Sequence, residues 1–129
     1  MYKGAKEIME IKELVEQAHQ NAKEHGFWED LQDSKGNIYT ERIISFKRCG
    51  YTPETLNALS TRLMLIVSEL AEAQEGLRHN DISNFKEELA DVAIRLGDLC
   101  GGLKIDLEAE ILKKMAKNKD RPYKHGRAF

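Results

Sequence analysis

The chain has few of the residues that mark specialised classes of small protein. Its 129 residues include two cysteines, two prolines and one tryptophan. Cys49 and Cys100 are far apart, so we expect neither a disulfide framework nor a thiolate zinc site. A reducing, cytoplasmic environment is expected instead. The amino terminus lacks the apolar stretch of a secretory signal. The longest aliphatic run, 63–67, is far shorter than the roughly 20 residues that cross a bilayer, so no membrane partner is expected.

Charge and motif content exclude further classes. Lysine and arginine total 20, aspartate and glutamate total 22, and the formal net charge is −2. This balance lacks the basic surface that holds duplex nucleic acid through its phosphates, so no nucleic-acid partner is expected. The sequence also lacks the glycine-rich phosphate loop, the dinucleotide-binding fingerprint, the His-Glu-x-x-His zinc motif and the serine-hydrolase elbow.

Apolar residues recur at helical spacing in four segments, without an alternating strand pattern. Thr52 and Pro53 are typical of an N-cap and a first helical residue, and Asp106 is typical of a second N-cap. Gly26 and the glycine pair 101–102 are expected to end helices. The predicted helices are 5–25, 53–80, 83–100 and 107–120.

These helices predict one all-α domain over 1–129, a four-helix bundle whose second and third helices form an antiparallel hairpin. Residues 29–59 are predicted to be an insertion, mostly loop, with a weak helix or a short extended piece at 40–49. One apolar stripe of the second helix is expected to face the core. It consists of Leu56, Leu59, Leu63, Ile66, Leu70 and Leu77.

Two acidic pairs, Glu69-x-x-Glu72 and Glu88-x-x-Asp91, lie on the second and third predicted helices. At about 100° per residue, both pairs fall at a similar offset from the apolar stripe of their helix, so the two acidic edges can meet. Carboxylates at close range repel one another unless a cation compensates them. Oxygen-only ligation favours Mg²⁺, with Mn²⁺ as a substitute. The alternative is a solvated helix face, because a similar acidic ladder on the first helix spirals around its surface.

A di-iron carboxylate bundle is a second alternative. Glu16-x-x-His19 matches half of the ligand set of such a site. The second Glu-x-x-His is missing, so His19 is expected on the helix surface.

The order and spacing of the acidic pairs, with the second inside Glu87-Glu88-Leu89-Ala90-Asp91-Val92, resemble the motif of the MazG-like all-α nucleoside triphosphate pyrophosphohydrolases. Downstream, Lys-Met-Ala-Lys-Asn-Lys-Asp-Arg-Pro at 114–122 is similar to the Lys-Met-x-x-Asn-x-x-Arg segment of that family, which includes dCTP pyrophosphatases and is related to dimeric dUTPases. The resemblance covers 62–126, and Gly26-Phe27-Trp28 is similar to an amino-terminal element of the phage and bacterial branch.

The resemblance implies Mg²⁺-dependent hydrolysis of a nucleoside triphosphate to the monophosphate and pyrophosphate, with a role in cleaning the nucleotide pool. It implies that Glu69, Glu72, Glu88 and Asp91 are metal ligands. One of the two helix-2 glutamates, Glu72 in preference to Glu69, could instead orient and deprotonate the attacking water.

The resemblance also suggests residues for the rest of a nucleotide. Asp98 could add a metal ligand or belong to the surface, and Arg95 could contact phosphate or form a salt bridge. The expected phosphate-binding residues are Lys114, Asn118, Arg121 and Arg95, and the expected base-binding residues are Phe27, Trp28 and His79.

Members of the resembling family assemble as dimers or tetramers, so a homodimer or homotetramer is expected. The competing interpretation is a non-catalytic helical interaction module that retains the fold and whose acidic pairs are solvated.

Overall fold

A computed structural model describes residues 8–32 and 51–128, and in these residues the regular secondary structure is helical. Its elements are α1 (Ile11–Glu24), a 3₁₀ turn (Glu29–Leu31), α2 (Pro53–Arg78), α3 (Ile82–Gly102), α4 (Leu107–Lys119) and a second 3₁₀ turn (Tyr123–Gly126). The all-α class and the four predicted helices are confirmed within these ranges. The predicted weak helix at 40–49 and residues 5–7 of the first predicted helix lie outside the described residues.

The two predicted N-cap residues lie at the amino ends of α2 and α4, as expected. The Thr52 hydroxyl accepts a hydrogen bond from the Thr55 amide at 3.3 Å, and Pro53 occupies the first turn of α2. Asp106 accepts a hydrogen bond from the Ala109 amide at 3.0 Å at the start of α4. Each cap satisfies a backbone N–H that has no partner inside its helix.

The α2–α3 hairpin turns tightly at its tip. Asn80 takes the left-handed backbone conformation, with φ of 53°, and Asp81 caps α3 by accepting from the Asn84 amide. A Cβ on Gly76 would lie 3.1 Å from the Phe85 amide nitrogen, so the absence of a side chain lets the two helices approach this closely.

The third helix ends at the glycine pair 101–102, as predicted, with Gly102 as the last helical residue, two residues beyond the predicted end at 100. A Cβ on Gly102 would overlap the ring of Trp28, and one on Gly101 would crowd His19. The glycines therefore also give α1 and Trp28 room to pack against α3.

Helix α3 lies at the centre of the described fold, packed against α2 on one side and α1 on the other. Helix α4 packs against α1. The core lies where Trp28, Leu31, Leu99 and Leu103 meet, and Trp28 is completely buried. This arrangement leaves a cleft between α1, α2 and α3 beside the core.

Much of the predicted inward stripe of α2 is exposed, contrary to expectation. Leu63 is 53% exposed and Leu70 47% exposed, whereas Leu59 and Ile66 pack against the core. Helix α4 has no buried residue, and Met115 is 62% exposed. Apolar surface on three helices is therefore left uncovered by the other described residues.

Among the described residues, none of the helices combines the length and the apolar character needed to cross a membrane.

The close approach at Gly102 predicts opposite effects for two alanine substitutions on α3. G102A should lower the free energy of unfolding by about 1–3 kcal/mol, because the new methyl group collides with the buried Trp28 ring. Urea unfolding followed by circular dichroism measures this change.

The matched control is G97A, whose Cβ would make ordinary contacts of 3.4–3.5 Å with Leu14 and Ala18. It should be neutral or stabilising, since alanine favours helix over glycine by up to about 1 kcal/mol. Equal destabilisation by both variants would contradict the packing described here.

Candidate metal centre and adjoining pocket

The hairpin brings three of the four predicted metal ligands together. Glu69 extends from α2, and Glu88 and Asp91 lie one turn apart on α3. One carboxylate oxygen from each residue lies within 4.8 Å of the corresponding oxygens of the other two. The local rule that residues three apart share a helix face places Glu88 beside Asp91. The packing of α2 on α3 then supplies Glu69.

Glu88 is the residue under most electrostatic strain in this cluster. Its Oε2 atom is buried and has no hydrogen-bond partner among the described residues. Its pKa is raised to about 7, first by hydrogen bonding with Glu69, then by burial and by the charges of Glu69, Asp91 and Glu72. A buried acceptor without a donor, surrounded by negative charge, is suited to contact a cation or to keep a proton.

Arg95 compensates the negative charge of Glu69. Its Nε donates a 2.6 Å hydrogen bond to Oε1 of Glu69, and this contact holds the pKa of Glu69 below its ordinary value. Of the two expected roles for Arg95, the salt bridge is the one present in this structure. Glu69 therefore stays ionised beside Glu88, which favours its protonated form when no cation is bound.

Glu72 lies outside the group of three. Its side chain is exposed one turn beyond Glu69, although its charge contributes to the raised pKa of Glu88. It therefore flanks the cluster from the solvent side, and its predicted roles as ligand or water-orienting base stay predictions.

A pocket of about 600 Å³ adjoins the cluster and lies between α1, α2 and α3. Glu69, Asp91 and Arg95 line one end, so the pocket and the cluster share residues. Phe27, Leu65 and further apolar side chains line the rest, together with a few polar groups. The volume is within the usual range for small-molecule sites. The polar residues that line it away from the cluster are Asn21, Asp30, Thr61, Arg62 and Asp98.

Arg62 is a pocket residue that no sequence motif indicates. Its guanidinium bonds both carboxylate oxygens of Asp30, at 2.7 and 3.2 Å, and donates to the Phe27 carbonyl at 3.0 Å. It also lies 4.2 Å from the ring centre of Trp28. Asp30 and Arg62 are 32 positions apart in the sequence, and no local pattern connects them.

Trp28 does not form a wall of the pocket, contrary to its predicted base-binding role. The ring has no exposed surface, and its Nε1 donates a 2.7 Å hydrogen bond to Oδ1 of Asp98. Its neighbour Phe27 is 68% exposed and lines the pocket, as a base-contacting residue would.

His19 is not the surface residue that was expected. Its Nδ1 lies 3.1 Å from Oδ1 of Asp98, and its ring meets Trp28 edge-on at 5.1 Å. Its side chain is only 18% exposed, because Gly101 allows α1 to approach α3.

The remaining predicted residues lie away from the pocket in this chain. His79 caps the carboxyl end of α2 and pairs with Glu75 at 3.4 Å, whereas the pocket lies toward the amino end of α2 from Glu69. A base held in this pocket is out of reach of His79. Three exposed residues at the end of α4, expected to bind phosphate, are also absent from its lining: Lys114, Asn118 and Arg121.

Comparison of the chain with profiles of known protein families, with curated proteins and with solved structures finds no significant match.

The strained carboxyl group of Glu88 predicts a pH dependence of stability. Without divalent metal, the native state keeps a proton on Glu88 up to a pKa of about 7, whereas the unfolded chain releases it near 4.5. The native state therefore binds more protons in this interval, and stability should fall as the pH rises from about 5 to 7. E88Q should remove this fall and melt above the wild type at pH 8. Thermal melting in EDTA across this range measures the difference.

The matched control is E87Q, an exposed neighbour on α3 that lies outside the cluster. It should keep the pH dependence of the wild type. A decline that persists in E88Q would locate the titrating group elsewhere.

Proposed function

We propose that the protein is a Mg²⁺-dependent pyrophosphohydrolase that cleaves nucleoside or deoxynucleoside triphosphates into the monophosphate and pyrophosphate. The observation that carries the proposal is a cluster of three carboxylates, one with a buried, unpartnered oxygen, at the end of a pocket of about 600 Å³. The similarity of both acidic pairs to the MazG-like motif supports the same reaction.

The donor set is suited to a hard divalent cation. All three groups are carboxylates, and a bound cation would give Glu88 Oε2 the partner that it lacks among the described residues. Mg²⁺ and Mn²⁺ prefer such oxygen ligands, whereas zinc prefers nitrogen and sulfur. When bound, Mg²⁺ would neutralise charge on the phosphate oxygens.

We assign cation binding, water activation and nucleoside contact to different side chains. Glu69, Glu88 and Asp91 would hold the cation that contacts the phosphates, and Arg95 keeps Glu69 ionised. In this proposal Glu72, which is exposed one turn beyond Glu69, orients a water molecule and accepts its proton. Phe27 and the apolar residues of the pocket contact the nucleoside.

The proposed active form contains at least two copies of the chain. Apolar side chains on α2, α3 and α4 are left uncovered, including Met64 and Leu112 at 60% and 64% exposure. A second copy would bury such surface. It would also offer its own α4, so that Lys114, Asn118 and Arg121 could contact phosphates at the cluster of its partner.

Product analysis tests the reaction. The purified protein with Mg²⁺ should convert at least one member of a panel of canonical and modified nucleoside triphosphates into pyrophosphate and monophosphate. E72Q and D91N should lower kcat about 100-fold or more, as expected for loss of a catalytic carboxylate. E75Q is the matched control, because Glu75 is on the same helix but pairs only with Arg78 and His79 among the interactions seen here.

Orthophosphate as the product would contradict the proposal. Absence of any product from folded protein would favour the non-catalytic interaction module. Melting with added Mg²⁺ or Mn²⁺ separates these cases further, because a cation bound only to the native state raises the melting temperature with its concentration. The module predicts no such rise, and the enzyme predicts a rise that D91N abolishes.

Mixing two inactive variants tests the shared site. D91N lacks a cluster carboxylate, and K114A/R121A lacks cations of α4. If each site combines the cluster of one copy with α4 of another, mixed assemblies contain one intact site and activity should return.

Mixing D91N with E88Q is the matched control, because both changes affect the same cluster and no combination restores it. No recovery in the first mixture, with mixed assemblies confirmed by native mass spectrometry, would exclude a site shared between copies.

A further inference from the structure

Asp98 is held rigidly in the wall of the pocket. Its Oδ1 accepts hydrogen bonds from Trp28 Nε1 at 2.7 Å and from His19 Nδ1 at 3.1 Å. Because a carboxylate only accepts, His19 carries its hydrogen on Nδ1. The Trp28 ring is itself held between Arg62 and Gly102, which fixes the position of the carboxylate.

The second carboxylate oxygen of Asp98 remains available. Both hydrogen bonds go to Oδ1, and among the described residues no donor is seen on Oδ2. The side chain is 20% exposed and lines the pocket. A fixed, partly desolvated acceptor gains from a ligand that donates an N–H group and rejects one that presents only acceptors there.

The spacing along α3 matches a nucleotide. Asp91 and Asp98 are two helical turns apart, which places them on one face with a separation of about 10 Å along the helix axis. A phosphate bound by a cation beside Asp91 would leave the base near Asp98, since a nucleotide spans a comparable distance between these groups. Ile94, between the two aspartates on α3, and Phe27 also line the pocket and offer apolar contact to a ribose and a planar base.

We infer that Asp98 is a specificity-determining residue that recognises the base of the bound nucleotide by accepting a hydrogen bond from its exocyclic amino group. The inference rests on the proposed function for the nature of the ligand. In this role, Asp98 favours bases that carry an amino group on the edge facing α3 over otherwise identical bases that lack that group.

The single tryptophan makes the inference measurable without turnover. Trp28 is the one tryptophan of the chain and bonds directly to Asp98, so its fluorescence should report a ligand at that carboxylate. The probes are monophosphate pairs that differ only by the amino group: guanosine against inosine, and adenosine against purine riboside, each with Mg²⁺. In at least one pair, the amino form should bind roughly 10- to 100-fold more tightly, as expected for a hydrogen bond to a charged group.

D98N tests the role of the carboxylate. Asparagine keeps one oxygen to accept from Trp28 and His19 but replaces the other with an amide donor. The preference within the discriminated pair should disappear or reverse in D98N, while circular dichroism and melting confirm that the variant is folded. A purely structural Asp98 would weaken both members of the pair equally.

The outcomes separate the two proposals. An unchanged preference in D98N, or equal binding within every pair by the wild type, overturns the role of Asp98 even if pyrophosphate is produced. A preference that reverses in D98N without hydrolysis supports the role of Asp98 and overturns the proposed reaction. Failure of every monophosphate to bind also overturns the role of Asp98, and the product analysis with triphosphates then decides the reaction alone.

Discussion

The described structure depends on the burial of one indole ring. Trp28 lies between α1, α2 and α3, with its Nε1 bonded to Asp98, its edge against His19 and Arg62 stacked on its face. A buried indole N–H without a hydrogen-bond partner costs free energy of folding. The core therefore requires Asp98 as the acceptor as well as the ring that fills it. The same ring fixes the walls of the adjoining pocket.

The carboxylate cluster follows the opposite principle. In the core, the buried indole N–H has a hydrogen-bond partner. The hairpin instead brings the carboxylates of Glu69, Glu88 and Asp91 together without enough positive charge to compensate them. Arg95 compensates the charge of Glu69. Glu88 is left with a raised pKa and a buried oxygen that has no hydrogen-bond partner among the described residues. Strain of this kind is typical of functional sites, where stability is given up for binding.

Local signals allowed the sequence to predict the helices and most of the cluster. Caps such as Thr52 and Asp106 act within one turn, and the spacing of Glu88 and Asp91 fixes their common face. The tertiary contacts were beyond local rules. The bond between Trp28 and Asp98 spans 70 residues, and no local pattern indicates that Gly102 leaves room for that ring. The exposed stripe of α2 was also mispredicted, because periodicity identifies an apolar face without identifying what covers it.

The anchoring of residues 31 and 51 has a consequence for variation of chain length. Leu31 is buried in the core, Tyr51 packs against that same core, and Asp30 is tied to α2 through Arg62. The segment 33–50 therefore leaves and rejoins the described fold at two fixed points. Changes of chain length that keep these two anchors leave the described core contacts in place, whereas a change of even one residue within α3 would alter the spacing of Asp91 and Asp98, which both line the pocket.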